Sequence, residues 1–302
     1  MNPASSDKPC VTVIVAAYNA ARTLPRSLDS ILGQTFTDFE VVLVDDGSCD
    51  ETPQLVAAYA EKDPRLRVLR QDNQGVAVAR QRGLDAARGE FTIHVDADDW
   101  VEPDMLESLV ACAREKGADL VVCDYYEISG GTEKRRVQKP SAETAPALMG
   151  DLFYNLHGSL WNKLIRLSCI RDYDIRFIPG MNQCEDQYFC LRLLAHPVRV
   201  AYLDKACYHY DMSQNAQSLV NRGLSAQTRL TPLELIAAYT DISPVQQAYD
   251  RAVTLLAYQF FYAPKAFCPD YRAAFRKHLP SVRRAKGFPF HVKLLVWLKV
   301  VL

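Results

Sequence analysis

Residues 73–100 read NQGVAVARQRGLDAARGEFTIHVDADDW, and this stretch contains one complete unit of the predicted fold. Its first part predicts a helix over 76–87, with Gly89 as the residue that stops it. The apolar run 91–95 has the length and composition of a buried strand. That strand ends on Asp-Ala-Asp-Asp at 96–99, so an acidic cluster directly follows a buried strand.

Two earlier segments repeat this order of buried strand, polar end and helix. Residues 11–17 (VTVIVAA) and 39–44 (FEVVLV) are apolar and rich in β-branched residues, which is typical of strands buried on both faces. A Tyr-Asn pair at 18–19 follows the first, and Asp-Asp-Gly-Ser at 45–48 follows the second. Alternating strands and helices predict a mostly parallel sheet with helices on both faces. Because ligands bind at the carboxyl ends of such strands, we expect the three polar clusters to share one crevice.

The remaining segments complete the predicted order. Residues 129–141 combine Gly, Pro and charge, which predicts a loop or hairpin. A region richer in aromatic residues continues to about residue 210, and the sequence is typical of helices from about residue 232. Further helices are predicted at 20–32, 52–61 and 103–116, and further strands at 67–70 and 120–123.

Composition narrows the classes of function. The chain has 302 residues, of which 49% are hydrophobic, and its formal net charge of −1 gives no reason to expect nucleic acid as a partner. Its nine cysteines contain no CxxC pair, which favours reduced thiols in a cytoplasmic protein. Residues 1–9 lack the apolar core of a signal peptide, and no run of about 20 apolar residues predicts a membrane-spanning helix.

The acidic cluster at 96–99 places the carboxylates of Asp96, Asp98 and Asp99 within four residues. These groups repel one another, and a divalent cation that bridges two phosphates would supply the missing positive charge. Mg²⁺ and Mn²⁺ suit this task because they prefer oxygen ligands. The alternative is a solvated acidic turn before the next helix. The polar ends of the two neighbouring strands favour the metal.

The other strand ends also admit two interpretations each. Asp45 or Asp46 would accept a hydrogen bond from the ring N–H of a pyrimidine base, or would serve ordinary turn chemistry. Tyr18 would stack on a base, or pack at the end of its strand. Arg80 and the Asn-Gln-Gly loop at 73–75 would approach a phosphate, or Arg80 would be a solvated arginine on a helix.

The second region adds acidic and aromatic candidates. Glu185 and Asp186 form an acidic pair, in which Asp186 would take the proton of an acceptor hydroxyl or would cap a helix. Trp-Asn-Lys at 161–163 and Tyr-His-Tyr at 208–210 would contact sugar rings or phosphate, or would pack at a domain edge. Neither GxGxxG after the first strand nor GxxxxGKS/T occurs, which disfavours dinucleotide-binding and P-loop proteins.

Taken in order, these residues resemble the family 2 glycosyltransferases of the GT-A fold, and most of all the bacterial members that build capsule, exopolysaccharide or lipopolysaccharide. The resemblance covers about residues 10–215, and it implies an α/β fold with a Rossmann-like, mostly parallel sheet flanked by helices. The implied catalytic domain is 1–215, with a nucleotide-sugar-binding half at about 10–110 and an acceptor half at about 111–215. A helical C-terminal extension would occupy 216–302. The stretches that carry the resemblance are VTVIVAAYNA (11–20), ILGQTFTDFEVVLVDDGS (31–48), the stretch 73–100, WNKLIR (161–166) and EDQYF (185–189).

The activity that this resemblance implies is an inverting transfer of a hexosyl or N-acetylhexosaminyl group from a nucleotide diphosphate sugar, expected to be a UDP-sugar. The acceptor would be a hydroxyl of a saccharide or lipid-linked saccharide, and the cofactor a divalent Mn or Mg ion. Two alternatives are a non-catalytic sugar-nucleotide-binding protein of the same fold and a sugar nucleotidyltransferase. The second would carry a Gly-rich basic loop after the first strand, and residues 16–22 contain no such loop.

The family's site residues carry over by position. Tyr18 would stack near the base, Asp46 would read its ring N–H with Asp45 beside it, and Gly75 and Arg80 would lie near the donor. Asp98 would be the direct metal ligand, Asp96 would lie nearer the ribose, and Asp186 would be the catalytic base. Further predicted contacts of the acceptor or phosphate are Trp161, Lys163, Glu185 and His209. The chain departs from the family pattern at Ala16-Ala17 and at Gln81, which leaves the identity of the sugar open.

The C-terminal tail differs in charge from the rest of the chain. Residues 271–302 contain no acidic side chain, and residues 288–302 (FPFHVKLLVWLKVVL) are very apolar but too few to span a bilayer. One interpretation is a helix that lies in an anionic membrane surface on the cytoplasmic face. The other is a helix docked on the protein's own core or on a second subunit.

Overall fold

The computed structural model describes residues 8–142, 145–153, 155–181, 184–213, 237, 243–261 and 270–301. The predicted domain boundary at 215–216 lies outside the described residues. The helical region predicted from about residue 232 lies partly outside them, and the structure describes its helices from residue 243 onward.

Four parallel strands form the first half of a nine-stranded sheet, in the spatial order β3-β2-β1-β4. Every residue of β2 is buried, as its apolar, β-branched sequence predicts for a strand covered on both faces. The strands are β1 (Val11–Ala17), β2 (Phe39–Asp46), β3 (Leu66–Gln71) and β4 (Phe91–His94), and their connecting helices are α1 (Leu24–Leu32), α2 (Thr52–Lys62) and α3 (Val76–Ala86).

The second half of the sheet has mixed strand directions. β8 lies antiparallel between β4 and β6, β9 runs parallel to β6, and β5 runs antiparallel to β9. β6 and β7 form an antiparallel hairpin, and the segment 129–141, predicted as a loop or hairpin, contains its turn and its second strand. These strands are β5 (Trp100–Val101), β6 (Leu120–Ser129), β7 (Thr132–Arg136), β8 (Lys163–Arg166) and β9 (Val200–Asp211), and the helices among them are α4 (Met105–Lys116), α5 (Ala145–Leu148), α6 (Leu167–Asp172) and α7 (Glu185–Leu194). The predicted α/β fold is confirmed.

Close packing against the sheet fixes the position of α3. A Cβ atom added at Gly83 would lie only 2.5 Å from the Cγ2 atom of Ile14 in β1. Only a residue without a side chain lets this helix approach the strand so closely. The approach matters for function because α3 also carries Arg80.

The C-terminal helices form a small core of their own, built from α8 (Ser243–Phe261), α9 (Tyr271–Arg276), α10 (Leu279–Arg284) and α11 (Phe290–Val301). On α11, Val292, Val296 and Val300 recur every four residues and are buried, and the last two belong to this core. The apolar tail is therefore a helix docked on its own chain. Within the described residues, no helix combines the length and the apolar character needed to cross a membrane.

Candidate active site

The polar ends of β1 and β2 meet, as the predicted crevice requires. The Asn19 backbone N–H donates to the Ser48 hydroxyl at 2.9 Å, and the Cys49 N–H donates to the Asn19 side chain at 2.8 Å. Asn19 has a positive φ of 50°, a conformation that asparagine tolerates better than most residues. Beside this junction the Tyr18 side chain is 52% exposed, so a ring face is available to a ligand.

The two aspartates at the end of β2 have different surroundings. Asp46 accepts hydrogen bonds from the Gln71 side chain at 2.7 Å and from the backbone N–H groups of Gln74 and Gly75 at 2.9 and 2.8 Å. Asp45 is buried and accepts from the Ser48 N–H, and its Oδ2 atom has no hydrogen-bond partner among the described residues although Arg70 Nε lies 3.3 Å away. Both residues are nearly inaccessible to solvent, at 1% exposed for Asp45 and 3% for Asp46, and both keep lone-pair sites that no donor in the described part of the chain uses, since a carboxylate offers about four.

The loop before α3 holds the Asp46 carboxylate in place. The backbone amides of Gln74 and Gly75, which the sequence suggested as phosphate donors, both point at Asp46. Gly75 has a φ of 90°, which favours glycine and places its N–H toward the carboxylate. Gly75, which was predicted to lie near the donor, therefore supports Asp46, the aspartate predicted to contact the nucleotide base.

Arg80 is the centre of the site. Its guanidinium Nη1 lies 2.5 Å from both Glu185 Oε1 and Asp186 Oδ1, and its Nη2 lies 2.7 Å from Asp96 Oδ1. The Arg80 side chain is only 6% exposed, so these bonds form in the interior. The sequence predicted that Arg80 lies near the donor or is a solvated arginine, and in the structure it neutralises carboxylates from the loop after β4 and from α7.

Three carboxylates around one guanidinium leave an excess of negative charge, and this excess acts on Asp186. Burial raises the pKa of Asp186 to about 7, the charge of Arg80 opposes that rise, and the neighbouring Glu185 and Asp96 add to it. The second oxygen of Asp186 accepts from the Leu160 N–H at 3.3 Å, which orients the carboxyl group. A carboxyl group with a pKa near neutrality is suited to accept a proton at physiological pH.

The acidic loop after β4 divides into an anchor and a ligand-facing part. Asp99 is buried and accepts from the Tyr208 hydroxyl at 2.7 Å and from the Asp211 N–H at 2.8 Å. Burial, together with the charges of Asp98 and Asp96, raises the pKa of Asp99 well above its usual range. Asp96 and Asp98 are only half-buried, so they are the carboxylates of this loop that a ligand can reach.

Arg26, which the sequence did not single out, and Tyr208, which it placed in the Tyr-His-Tyr cluster at 208–210, also fix this loop. Arg26 on α1 donates to the Asp98 carbonyl at 2.8 Å and to the Asp211 carboxylate at 2.9 Å, and its guanidinium lies 3.8 Å from the centre of the Trp100 ring. The Tyr208 hydroxyl also accepts from the Asp96 N–H at 3.1 Å. Their partners are up to 185 positions away in the chain, so no local pattern could reveal them.

The four residues predicted as acceptor or phosphate contacts are enclosed by other protein groups in this structure. Trp161 and Lys163 are 2% and 1% exposed, and the Lys163 ammonium donates to the carbonyls of His157 and Ser159, each at 2.7 Å. His209 is stacked between the rings of Trp100 and Tyr126. Glu185 is occupied by Arg80. Because these side chains are buried, they hold the walls of the site. The packing interpretation agrees with the burial of Trp161, Lys163 and His209, and their predicted contacts with a ligand stay a prediction.

The remaining question for the acidic loop is whether it suits a metal ion. Among the described residues, no group of three or more His, Cys, Asp or Glu side chains is arranged to hold one. Asp96 and Asp98 offer oxygen ligands, and the Arg80 guanidinium that bonds Asp96 is already shared among three carboxylates. This donor set fits an Mg²⁺ or Mn²⁺ ion that takes its other ligands from water and phosphate.

Comparison with known proteins places the chain among sugar transferases. Residues 12–171 match the family model described as glycosyl transferase family 2. The chain is 34% identical over 226 residues to EpsH of Bacillus subtilis, covering 72% of this chain and 64% of that protein. It is 35% identical over 233 residues to the succinoglycan biosynthesis protein ExoO of Rhizobium meliloti, covering 74% and 66%. The matches thus span about two thirds of these relatives' length.

A solved structure has the same architecture. Residues 1–349 of Staphylococcus aureus TarS in complex with UDP-GlcNAc superpose on this chain with a TM-score of 0.74 and 24% identity, covering 96% of this chain and 88% of that one. At this level of identity the similarity establishes the shared fold.

Proposed function

Because the chain belongs to glycosyltransferase family 2, we propose that it moves a hexosyl or N-acetylhexosaminyl group from a UDP-sugar to an acceptor hydroxyl with inversion at the anomeric carbon. The observation that carries this proposal is the buried Arg80, which joins Asp96 at the donor end of the sheet to Asp186 on the acceptor side. A transfer reaction requires donor and base to lie within reach of one another. The relative ExoO, named for succinoglycan biosynthesis, supports a place in bacterial polysaccharide synthesis.

The donor would bind across the ends of β1, β2 and β4. Tyr18 has the exposed ring that would stack on the base. Asp46 would accept the ring N–H with the acceptor capacity it retains, and the neighbouring Asp45 has an oxygen without a hydrogen-bond partner among the described residues. TarS, which has the same fold, is known in complex with UDP and with UDP-GlcNAc, and this supports a UDP-sugar as the donor.

Asp98 and Asp96 would hold a divalent Mg or Mn ion together with the donor diphosphate. When bound, such an ion supplies Lewis-acid stabilisation of the charge that grows on the leaving phosphate. The protein contributes the fixed position of the loop, through the bonds of Tyr208 and Asp211 to Asp99. The fit of these carboxylates to a metal is the support for this part of the proposal.

On the acceptor side, Asp186 would act as the general base. The acceptor oxygen attacks the anomeric carbon, the bond from that carbon to the diphosphate oxygen breaks, and the acceptor proton passes to Asp186 Oδ2, the oxygen that is not bonded to Arg80 and that, among the described residues, accepts only from the Leu160 N–H. A positioned base contributes about 10²–10⁴-fold to such a step. Arg80 and the Leu160 N–H hold the carboxyl group in place and keep its ionised form accessible.

The location of the reaction is part of the proposal. The eight cysteines among the described residues are all free thiols, which supports a reducing, cytoplasmic setting for an acceptor that is a saccharide or lipid-linked saccharide. The docked helix α11 leaves Phe290, Leu294 and Val301 exposed on a segment with only basic charges. This surface would meet the anionic inner leaflet. The substitution Leu294→Asp would then weaken binding to phosphatidylglycerol vesicles and leave the free energy of unfolding unchanged.

A ligand-binding screen tests the donor assignment. Purified protein is melted in the presence of UDP-glucose, UDP-galactose and their N-acetylhexosamine analogues, with and without Mn²⁺. We expect one or more of these sugars to raise the melting temperature only with Mn²⁺, and Asp98→Ala to abolish the rise. The matched control Asp104→Ala, in an aspartate paired with Lys205 on the protein surface, should retain it. Stabilisation by none of the sugars would contradict the donor assignment, and stabilisation without turnover would favour the non-catalytic alternative.

A further inference from the structure

An aromatic stack stands beside the acidic loop. Trp161 is sandwiched between Tyr208 and Tyr210, with ring centroids 4.4 and 5.5 Å apart and interplanar angles of 12° and 24°. Tyr208 is 0% and Trp161 2% exposed, whereas Tyr210 is half-buried. Tyr210 is therefore the outer layer of the stack, with one ring face against Trp161.

His157 forms a second wall next to that outer layer. It is an exposed residue, its ring centroid lies 5.1 Å from that of Trp161 and 6.0 Å from that of Tyr210, and its plane makes an angle of 55° with the Tyr210 ring. Its backbone is fixed at both polar groups, since the carbonyl accepts from Lys163 at 2.7 Å and the N–H donates to the Gln138 side chain at 2.6 Å. The rings of Tyr210 and His157 thus form a corner that a ligand can reach, and the bonds to Lys163 and Gln138 fix the position of His157.

This corner lies between the acidic loop 96–99 and the proposed base Asp186. Tyr210 precedes Asp211, whose N–H is bonded to Asp99 of the acidic loop. His157 lies three positions before Leu160, whose N–H is bonded to Asp186. A group that rests on both rings is thus close to the donor end of the sheet and to the proposed base.

We propose that the Tyr210 and His157 rings form the subsite for the pyranose ring of the acceptor saccharide, an inference that rests on the proposed transfer function. Pyranose rings present faces of C–H groups, which are complementary to the negative π-face of an aromatic ring, and a pocket lined by aromatic groups with a few polar tips suits such a ligand.

Other aromatic side chains of this region are less suited to the role. Trp100 has Arg26 on one face at 3.8 Å and His209 on the other at 4.9 Å, so both of its faces are covered. Tyr126 is half-buried like Tyr210, but it stacks on His209 and stands on the opposite side of the sheet, because Tyr126 pairs with His209 while Tyr125 pairs with Tyr208. Tyr126 is therefore a matched control.

The test measures weak sugar binding by saturation-transfer difference NMR on the UDP-loaded protein. The probes are the methyl β-glycosides of glucose, galactose and N-acetylglucosamine. We expect at least one of them to bind, Tyr210→Ala and His157→Ala each to raise its Kd about tenfold, and Tyr210→Phe and Tyr126→Ala to leave the Kd within about twofold. Because His157 is exposed, its variant keeps the test meaningful even if Tyr210→Ala unfolds, which near-UV circular dichroism would detect.

Two outcomes would overturn the subsite. One is an equal Kd in His157→Ala, Tyr210→Ala and Tyr126→Ala, and the other is the absence of saturation transfer to all three glycosides in the UDP-loaded wild type. The thermal shift caused by UDP is measured on every variant in parallel. Loss of that shift in the wild type would refute the proposed transfer function, whereas a normal UDP shift with unchanged sugar binding would refute the subsite alone.

Discussion

Replacing Arg80 with glutamine is expected to destabilise the protein in a pH-dependent way. The guanidinium is 6% exposed and neutralises Asp96, Glu185 and Asp186, so its loss leaves three carboxylates in a buried crevice without a counter-charge. Removing one partner from a buried ion pair costs about 3–5 kcal/mol. We therefore expect Arg80→Gln to lower the free energy of unfolding by about 3–5 kcal/mol at about pH 8.

The sign of the pH dependence follows from Asp186. Its pKa in the folded protein is about 7, above the value of about 3.9 for an exposed aspartate. The folded protein thus binds a proton that the unfolded chain releases, so this group lowers stability as the pH rises from about 4 to about 7. Without Arg80 the pKa rises further, and the loss of stability at about pH 5.5 should be clearly smaller than at about pH 8.

Urea unfolding followed by circular dichroism at the two pH values measures this difference. Arg82→Gln is the matched control, because Arg82 lies on the same helix and donates to the Arg70 carbonyl at the surface, and it should change stability by less than about 0.5 kcal/mol. The double variant Arg80→Gln with Glu185→Gln should recover part of the loss, since it removes one of the opposed charges. An equal loss at both pH values, or a loss no larger than that of Arg82→Gln, would refute the reasoning.

Three further predictions concern the same crevice. The rate of sugar transfer under saturating donor should rise with pH through an apparent pKa near 7, because Asp186 must lose its proton before it can accept one, and a profile without this limb would contradict the assignment. Tyr208→Phe should lower the free energy of unfolding in urea by about 1–3 kcal/mol and weaken UDP binding, since Asp99 loses a buried hydrogen bond that holds the acidic loop. Unchanged UDP affinity would show that Tyr208 and Asp99 do not contribute to donor binding. Gly83→Ala should cost about 1–3 kcal/mol in thermal unfolding because the added methyl group meets Ile14, and a neutral effect would show that α3 can shift away from β1.

Local sequence patterns predict the elements of the first half well. The strand 11–17 is found at those bounds, because a continuous apolar, β-branched run is enough to define a strand buried on both faces. The helix predicted over 20–32 begins later, at Leu24. The reason is distant in sequence: the Ala20 N–H donates to the Thr52 hydroxyl, which draws the chain into a turn before the helix starts.

The sequence predicts which residues form the site, but it does not predict which of them bond to one another. The pattern places Arg80 on a helix that faces the crevice, and it cannot reveal partners 105 and 106 positions away. The same limit applies to Lys163, which looks like a surface cation in sequence. In the structure three acceptors from the 157–162 segment satisfy its ammonium, and burial becomes favourable only because they are present.

The measurement that bears most directly on the proposed chemistry compares donor binding with turnover in Asp186→Asn. The substitution keeps the size and the hydrogen-bonding outline of the side chain but removes its ability to accept the acceptor proton. UDP release is followed with the UDP-sugar that stabilises the wild type, with methyl glycosides as acceptors. The account predicts an unchanged Kd for the donor and a turnover about 10²–10⁴-fold lower than that of the wild type. Full turnover in Asp186→Asn would contradict it.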